Sequence, residues 1–239
     1  MSAPAPVSGA IRPAVQVNQL MPPAPFAGLR GIIFDCDGVL LDSYGGNVFF
    51  YNALRAHFGL GPMNKDQEVW VHTRHVYESI EYVLPPGCFR EALELRRNFD
   101  YRRVLPHLTV EPGLFELLAW LRSLRLPLGI ATSRTDTLDL VLSHLGLAGY
   151  FSPQITSFKV RYAKPHPESV HVILRAWGLR PEETAFIGDS AVDQGAARGA
   201  GVRFWAYKNP SLEAELYIPD FFTLRSALLR AFRRGCFPG

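Results

Sequence analysis

Two pairs of aspartates are spaced for chemistry. Asp35 and Asp37 stand two apart straight after the apolar run Gly31-Ile32-Ile33-Phe34, and Asp189 and Asp193 stand four apart just beyond residues 184–187. Residues two apart on an extended segment project to the same side, so the first pair can face one small volume, to which the second pair can add two more carboxylates. Like charges that close need protons, a cation, or both. An all-oxygen donor set suits Mg²⁺, which keeps some of its water and often bridges to phosphate. Taken singly, each aspartate would more readily end a strand or cap a turn; it is the set of four at strand ends that favours a site.

A phosphate ligand also needs donors and positive charge. Thr132 and Ser133 offer hydroxyl and backbone N–H groups beyond another short apolar run, and Lys164, one of only four lysines, offers a point charge. Read alone, Thr132-Ser133 is an ordinary helix cap and Lys164 a solvated surface cation.

The elements that must position these residues follow from the pattern of apolar residues. Gly31 to Phe34 reads as a buried strand whose carboxyl end meets the turn Asp35-Cys36-Asp37-Gly38, and Asp42-Ser43 then caps a helix that stops at Gly59-Leu60-Gly61-Pro62. Residues 63–104 look helical throughout, with Val69, His72, Val76, Ile80 and Val83 at spacings of three and four and a break at Pro85-Pro86-Gly87. Beyond Glu111-Pro112-Gly113 the chain alternates: helix from Leu114, strand over 127–131, helix over 136–145, strand near 154–157, helix over 167–177, strand over 184–187, helix over 192–199 and strand over 202–207. Such alternation with short links predicts a Rossmann-like, doubly wound parallel α/β sheet. Ligands bind such sheets outside the carboxyl ends of the strands, where the polar clusters fall. The expected organisation is a flexible Ala/Pro-rich tail over 1–29, an α/β core over 30–45 and 107–239, and a small helical insert over 46–106.

Of 239 residues, 48% are hydrophobic, enough for a normal core, and the net charge of +3 is scattered apart from a basic finish at Arg225, Arg230, Arg233 and Arg234. No basic stripe with interleaved aromatics argues for nucleic acid, and no apolar run is long enough for a membrane span. Cys36, Cys88 and Cys236 lie far apart without metal-ligand spacing, which fits a reduced cytoplasmic compartment and no disulfide. The first 30 residues hold six of the 19 prolines, two arginines and no acid, but no apolar core of a secretory signal. An interaction segment and an uncertain start codon are alternative readings of this tail.

The ordered set resembles the four signature motifs of the haloacid dehalogenase superfamily: Asp35-Cys36-Asp37-Gly38-Val39, then Thr132-Ser133, then Lys164-Pro165-His166-Pro167, then Gly188-Asp189-Ser190-Ala191-Val192-Asp193. Leu40-Leu41-Asp42-Ser43 is similar to the phosphoglycolate phosphatase-like branch, near β-phosphoglucomutase-like members; Val39 stands where threonine is more frequent. The resemblance implies that Asp35 attacks phosphorus to form an aspartyl-phosphate, with Asp37 as general acid and then general base. It implies Mg²⁺ held by Asp35, the Asp37 carbonyl and Asp189, with Asp193 as ligand or orienter, and phosphoryl oxygens held by Thr132, Lys164 and N–H groups around Gly38 and Ser133. The insert would form a cap, with His72, Arg74, His75, Arg96, Arg97 and, in the core, Arg134 as candidate substrate contacts.

Asp37 argues against a dehalogenase, which needs no leaving-group acid. Phosphonatases need a lysine from the cap, and the insert's only one, Lys65, lies in the polar stretch Asn64-Lys65-Asp66-Gln67. A sugar phosphomutase uses the same aspartates and is the nearer rival; a non-catalytic partner-binding descendant is the other. The expectation is a phosphatase for a small phosphorylated metabolite, monomeric or homodimeric.

Overall fold

A computed structural model of the protein describes residues 15–18, 21–74 and 76–235. The first fourteen residues of the expected tail, the candidate contact His75 and Cys236 lie outside the described residues. In chain order the strands are β1 (Val15–Gln16), β2 (Gly31–Phe34), β3 (Leu41–Asp42), β4 (Thr109–Val110), β5 (Leu128–Ala131), β6 (Gln154–Ile155), β7 (Thr184–Gly188), β8 (Arg203–Tyr207) and β9 (Leu216–Ile218). The helices are α1 (Tyr44–His57), α2 (Lys65–Thr73), α3 (Val76–Val83), α4 (Phe89–Asn98), α5 (Leu114–Ser123), α6 (Leu138–His144), α7 (Glu168–Trp177), α8 (Ala191–Ala200) and α9 (Phe221–Arg233).

The sheet has seven strands in the order β1-β9-β8-β7-β2-β5-β6, and every pairing in it is parallel. This is the doubly wound α/β fold that the alternation predicts. β2, β5 and β7 are buried along their whole length, which is why they read as unbroken apolar runs rather than alternating ones. From β2 the chain builds outward through β5 to β6, then returns to the other side of β2 for β7. The strand order therefore reverses beside β2, and the carboxyl ends of β7, β2 and β5 form the crevice where such sheets bind ligands.

One face of the sheet centre is sealed by Trp177 at the end of α7. A Cβ at Gly31 would lie 2.8 Å from the indole, and one at Gly129 would lie 2.9 Å from it. Both strands present glycine so that the ring can lie against the sheet, while the indole N–H donates to Ser152 O at 2.8 Å. Ile33, Phe186, Ile173, Val170 and Ala196 complete the layer between sheet and helices.

The chain divides into two compact units, one of residues 1–39, 112–133 and 150–239, the other of 40–111 and 134–149. The helical segment expected over 46–106 falls within the second unit, which also takes in the stretch carrying α6. Its core gathers Tyr51, Leu54, Val71, Ile80, Val83 and Ala92, and β3 pairs antiparallel with β4. Arg55 donates to Gly61 O at 2.7 Å and Val83 O at 2.6 Å, tying α1 to the loop after it and to the end of α3. The helical run read through 69–83 is two helices, because Arg74 takes an extended backbone that ends α2.

Residues 15–18 and 21–29, expected to be part of a flexible tail, are instead packed. Val17, Phe26 and Leu29 are fully buried, Phe26 meets Trp205 edge-on at 5.6 Å, and β1 pairs with β9. Apolar anchors spaced through a proline-rich segment can be buried without regular structure, a possibility that composition alone conceals. Cys36 is buried, and neither it nor Cys88 is in a disulfide. No helix among the described residues is long and apolar enough to cross a membrane.

Candidate active site

The site is built at the carboxyl ends of β2, β5 and β7. Asp35 follows β2 directly, its N–H still in the ladder through Ile187 O at 2.9 Å, which fixes the backbone from which the carboxylate projects. Asp189 follows β7, and Asp193 lies in the first turn of α8, where Ser190 caps the helix. Among the described residues Asp35, Asp189 and Asp193 bring one oxygen each within 4.8 Å of one another. The Asp37 carboxylate is outside that trio.

Lys164 joins the cluster together. Its Nζ donates to Asp35 Oδ1 at 2.7 Å, to Asp193 Oδ1 at 2.5 Å and to Ala131 O at 2.9 Å, so all three ammonium donors are used. The side chain is only 2% exposed. Burial alone would depress this ammonium, but Asp193 and Asp35 outweigh it and raise its pKa, so it stays a cation. Asp193 Oδ2 accepts from the backbone N–H and hydroxyl of Ser190. With both oxygens engaged by protein donors, Asp193 serves here to hold Lys164 and the start of α8.

Burial, and then the neighbouring Asp193, hold the Asp35 carboxyl well above the usual carboxylate range against the opposing pull of Lys164. The same two causes push Asp189 up to about 7. Three carboxylates, those of Asp35 and Asp193 buried and that of Asp189 half-buried, against one ammonium leave a net charge of −2 if all ionise. Hard oxygen donors and that charge fit a divalent cation such as Mg²⁺.

The turn after Asp35 has one strict requirement. Gly38 has φ +75, and any Cβ there would collide with the Asp189 carboxylate, so glycine serves both the backbone and the close approach. Thr132 is buried and its N–H donates to Ile155 O at 3.0 Å, which fixes it at the end of β5. Ser133, exposed, receives the Ser157 hydroxyl at its carbonyl, 3.2 Å away. Sequence reasoning missed Asn209, whose amide donates to Asp189 O at 2.7 Å and whose Oδ1 accepts from Ser211 N–H and Oγ. Its only signal was the Asn209-Pro210-Ser211 turn after β8.

Three of the expected substrate contacts, His72, Arg74 and Arg134, have local partners within the helical unit. His72 Nδ1 lies 3.3 Å from Asn47 Nδ2, Arg74 stacks over Trp70, and Arg134 donates to the Tyr101 hydroxyl at 2.9 Å. Arg134, expected in the core, falls in the helical unit by its contacts.

Residues 32–207 match the family model described as haloacid dehalogenase-like hydrolase. The chain belongs to that family. This haloacid dehalogenase-like hydrolase is 31% identical over 186 residues to a phosphoglycolate phosphatase of Chromobacterium violaceum, covering 72% of this chain and 82% of the relative. It is 26% identical over 198 residues to a pyrophosphatase of Bacillus velezensis, covering 81% and 91%. A solved haloacid dehalogenase superfamily hydrolase of subfamily IA from Geobacter sulfurreducens superposes with a TM-score of 0.75 at 33% identity, covering 85% of this chain and 96% of that one. The family and fold expected from the motifs therefore stand.

Proposed function

We propose that this hydrolase is a Mg²⁺-dependent phosphatase that cleaves a small phosphomonoester through an aspartyl-phosphate on Asp35, in the manner of a phosphoglycolate phosphatase. The observation that carries the reading is the Lys164 bridge between Asp35 and Asp193, beside Asp189, at the end of the central strand.

In this reading the Asp35 oxygen that Lys164 does not hold attacks phosphorus in line. The bond to the ester oxygen breaks, and Asp37 protonates that oxygen as the alcohol leaves. Asp37, now a carboxylate, takes a proton from water; the resulting hydroxide attacks the aspartyl-phosphate, releasing inorganic phosphate and restoring Asp35. Thr132 holds one phosphoryl oxygen and Lys164 another, by exchanging one of its three acceptors for it, assisted by N–H groups at Gly38 and Ser133. Asp35, the Asp37 carbonyl and Asp189, braced by Asp193, would hold Mg²⁺, which when bound neutralises charge on the transferring group. Reaction partners are small phosphorylated metabolites of the cytoplasm.

The test is phosphate release from a panel of small phosphomonoesters by wild type and Asp35→Asn, with Mg²⁺ and with EDTA. Release that needs Mg²⁺ and vanishes in Asp35→Asn is expected. Turnover only with a bisphosphate primer, without phosphate release, would overturn the phosphatase reading in favour of a mutase.

A further inference from the structure

Lys164 sits in a loop with no regular structure, yet it must hold one position among three acceptors. The residues around it show how. Glu168, the first residue of α7, turns its carboxylate back along the chain. Oε1 accepts from Arg161 N–H at 3.0 Å and Oε2 from Tyr162 N–H at 2.9 Å, and its own N–H donates to His166 Nδ1 at 3.3 Å. These bonds close the segment 161–168 into a ring of fixed size with Lys164 inside it. On the other side the loop rests on α8: a Cβ at Gly195 would lie 2.7 Å from Pro165 Cβ, and one at Gly199 would lie 3.1 Å from Pro167 Cγ.

A glutamate that merely favoured the dipole of α7 would point at that helix's own first-turn N–H groups. This one is spent on two peptides that precede Lys164 by two and three residues. The two backbone donors also pull its carboxyl below the ordinary range.

We propose that Glu168 is a positioning residue for the reaction: it never touches substrate, but it closes the loop that keeps Lys164 Nζ between Asp35 and Asp193. The inference rests on the reading of Lys164 as a phosphoryl-binding cation. A lysine side chain has four rotatable bonds, so once the loop loosens, the ammonium no longer keeps a single place. Displacement on the order of 1 Å at such a site costs on the order of a hundredfold in rate. Glu168→Asp keeps two acceptors at shorter reach, Glu168→Gln keeps one, and Glu168→Ala keeps none.

The experiment pairs kinetics with lysine footprinting of the full chain by reductive dimethylation and mass spectrometry; with only four lysines, at 65, 159, 164 and 208, each is resolved. In Glu168→Ala, Lys164 should be labelled about tenfold faster with Lys65 unchanged, kcat should fall about tenfold or more with KM within about twofold, and Glu168→Asp should restore part of both. If Lys164 in Glu168→Ala stays as protected as in wild type, or if Asp and Ala variants lose activity only in step with melting temperature, the inference is overturned. Should wild type release no phosphate while Lys164 still becomes exposed in Glu168→Ala, the positioning stands and the phosphatase reading fails alone.

Discussion

At the scale of single residues, the site is a balance of charge held in little space. Replacing Gly38 by alanine puts a methyl group into the Asp189 carboxylate and strains a left-handed turn, so apparent Mg²⁺ affinity is expected to fall about tenfold or more, measured by metal titration of activity and of melting temperature. The raised Asp189 pKa has a direction that can be worked out. With a folded value of about 7 against an ordinary 3.8, the group contributes stability that is fully present below about pH 4 and is lost as pH rises through 7. In EDTA the wild type should therefore melt at least roughly 5 °C lower at pH 8 than at pH 5, and Asp189→Asn should flatten that slope. The cluster of Asp35, Asp189 and Asp193 was legible beforehand, because each follows a short apolar run read as a buried strand, and parallel strands bring such ends together. Asn209 was not legible: it acts through a side-chain amide on a main-chain carbonyl twenty positions earlier, and no spacing rule reports such a bond. The engagement of both Asp193 oxygens was equally hidden, since it depends on how Ser190 caps α8.

At the scale of elements, the sheet centre depends on two glycines that let Trp177 close over it. Gly129→Ala pushes a methyl group to 2.9 Å from the indole and 3.2 Å from Ile173, and is expected to cost about 1–3 kcal/mol in denaturant unfolding. Gly195→Ala presses on Pro165, which lies in an exposed loop able to yield; its expected effect is a kcat loss of about tenfold with under about 1 kcal/mol of stability, read by kinetics beside melting. The buried strands β2, β5, β7 and β8 were readable as short apolar runs of β-formers bounded by turn residues. β1, β3, β4, β6 and β9 have two or three residues each, too few to show any period; of these only β6 was signalled by its neighbours. The division of α2 from α3 at Arg74 escaped because apolar residues keep helical spacing across it.

At the scale of the whole chain, the packing of residues 15–18 and 21–29 joins segments far apart in sequence. β1 covers the edge of β9, Val17 donates to Tyr217 O at 2.9 Å, and Arg230 in α9 donates to Asn18 O at 2.9 Å. Deleting residues 1–18 is expected to cost about 2 kcal/mol and to leave an uncovered strand edge, seen as concentration-dependent association in light scattering. Composition labelled this region as a tail because proline and alanine dominate it, while the few apolar anchors that decide its fate carry no periodic signal.

The pairing of Val15 with Leu216 also sets an order of events in the cell. β1 has no neighbour in the sheet until β9, about 200 residues later, has left the ribosome. At about 5–20 residues per second that interval is on the order of ten to forty seconds, during which the nascent sheet can grow outward from β2 while one of its borders stays open.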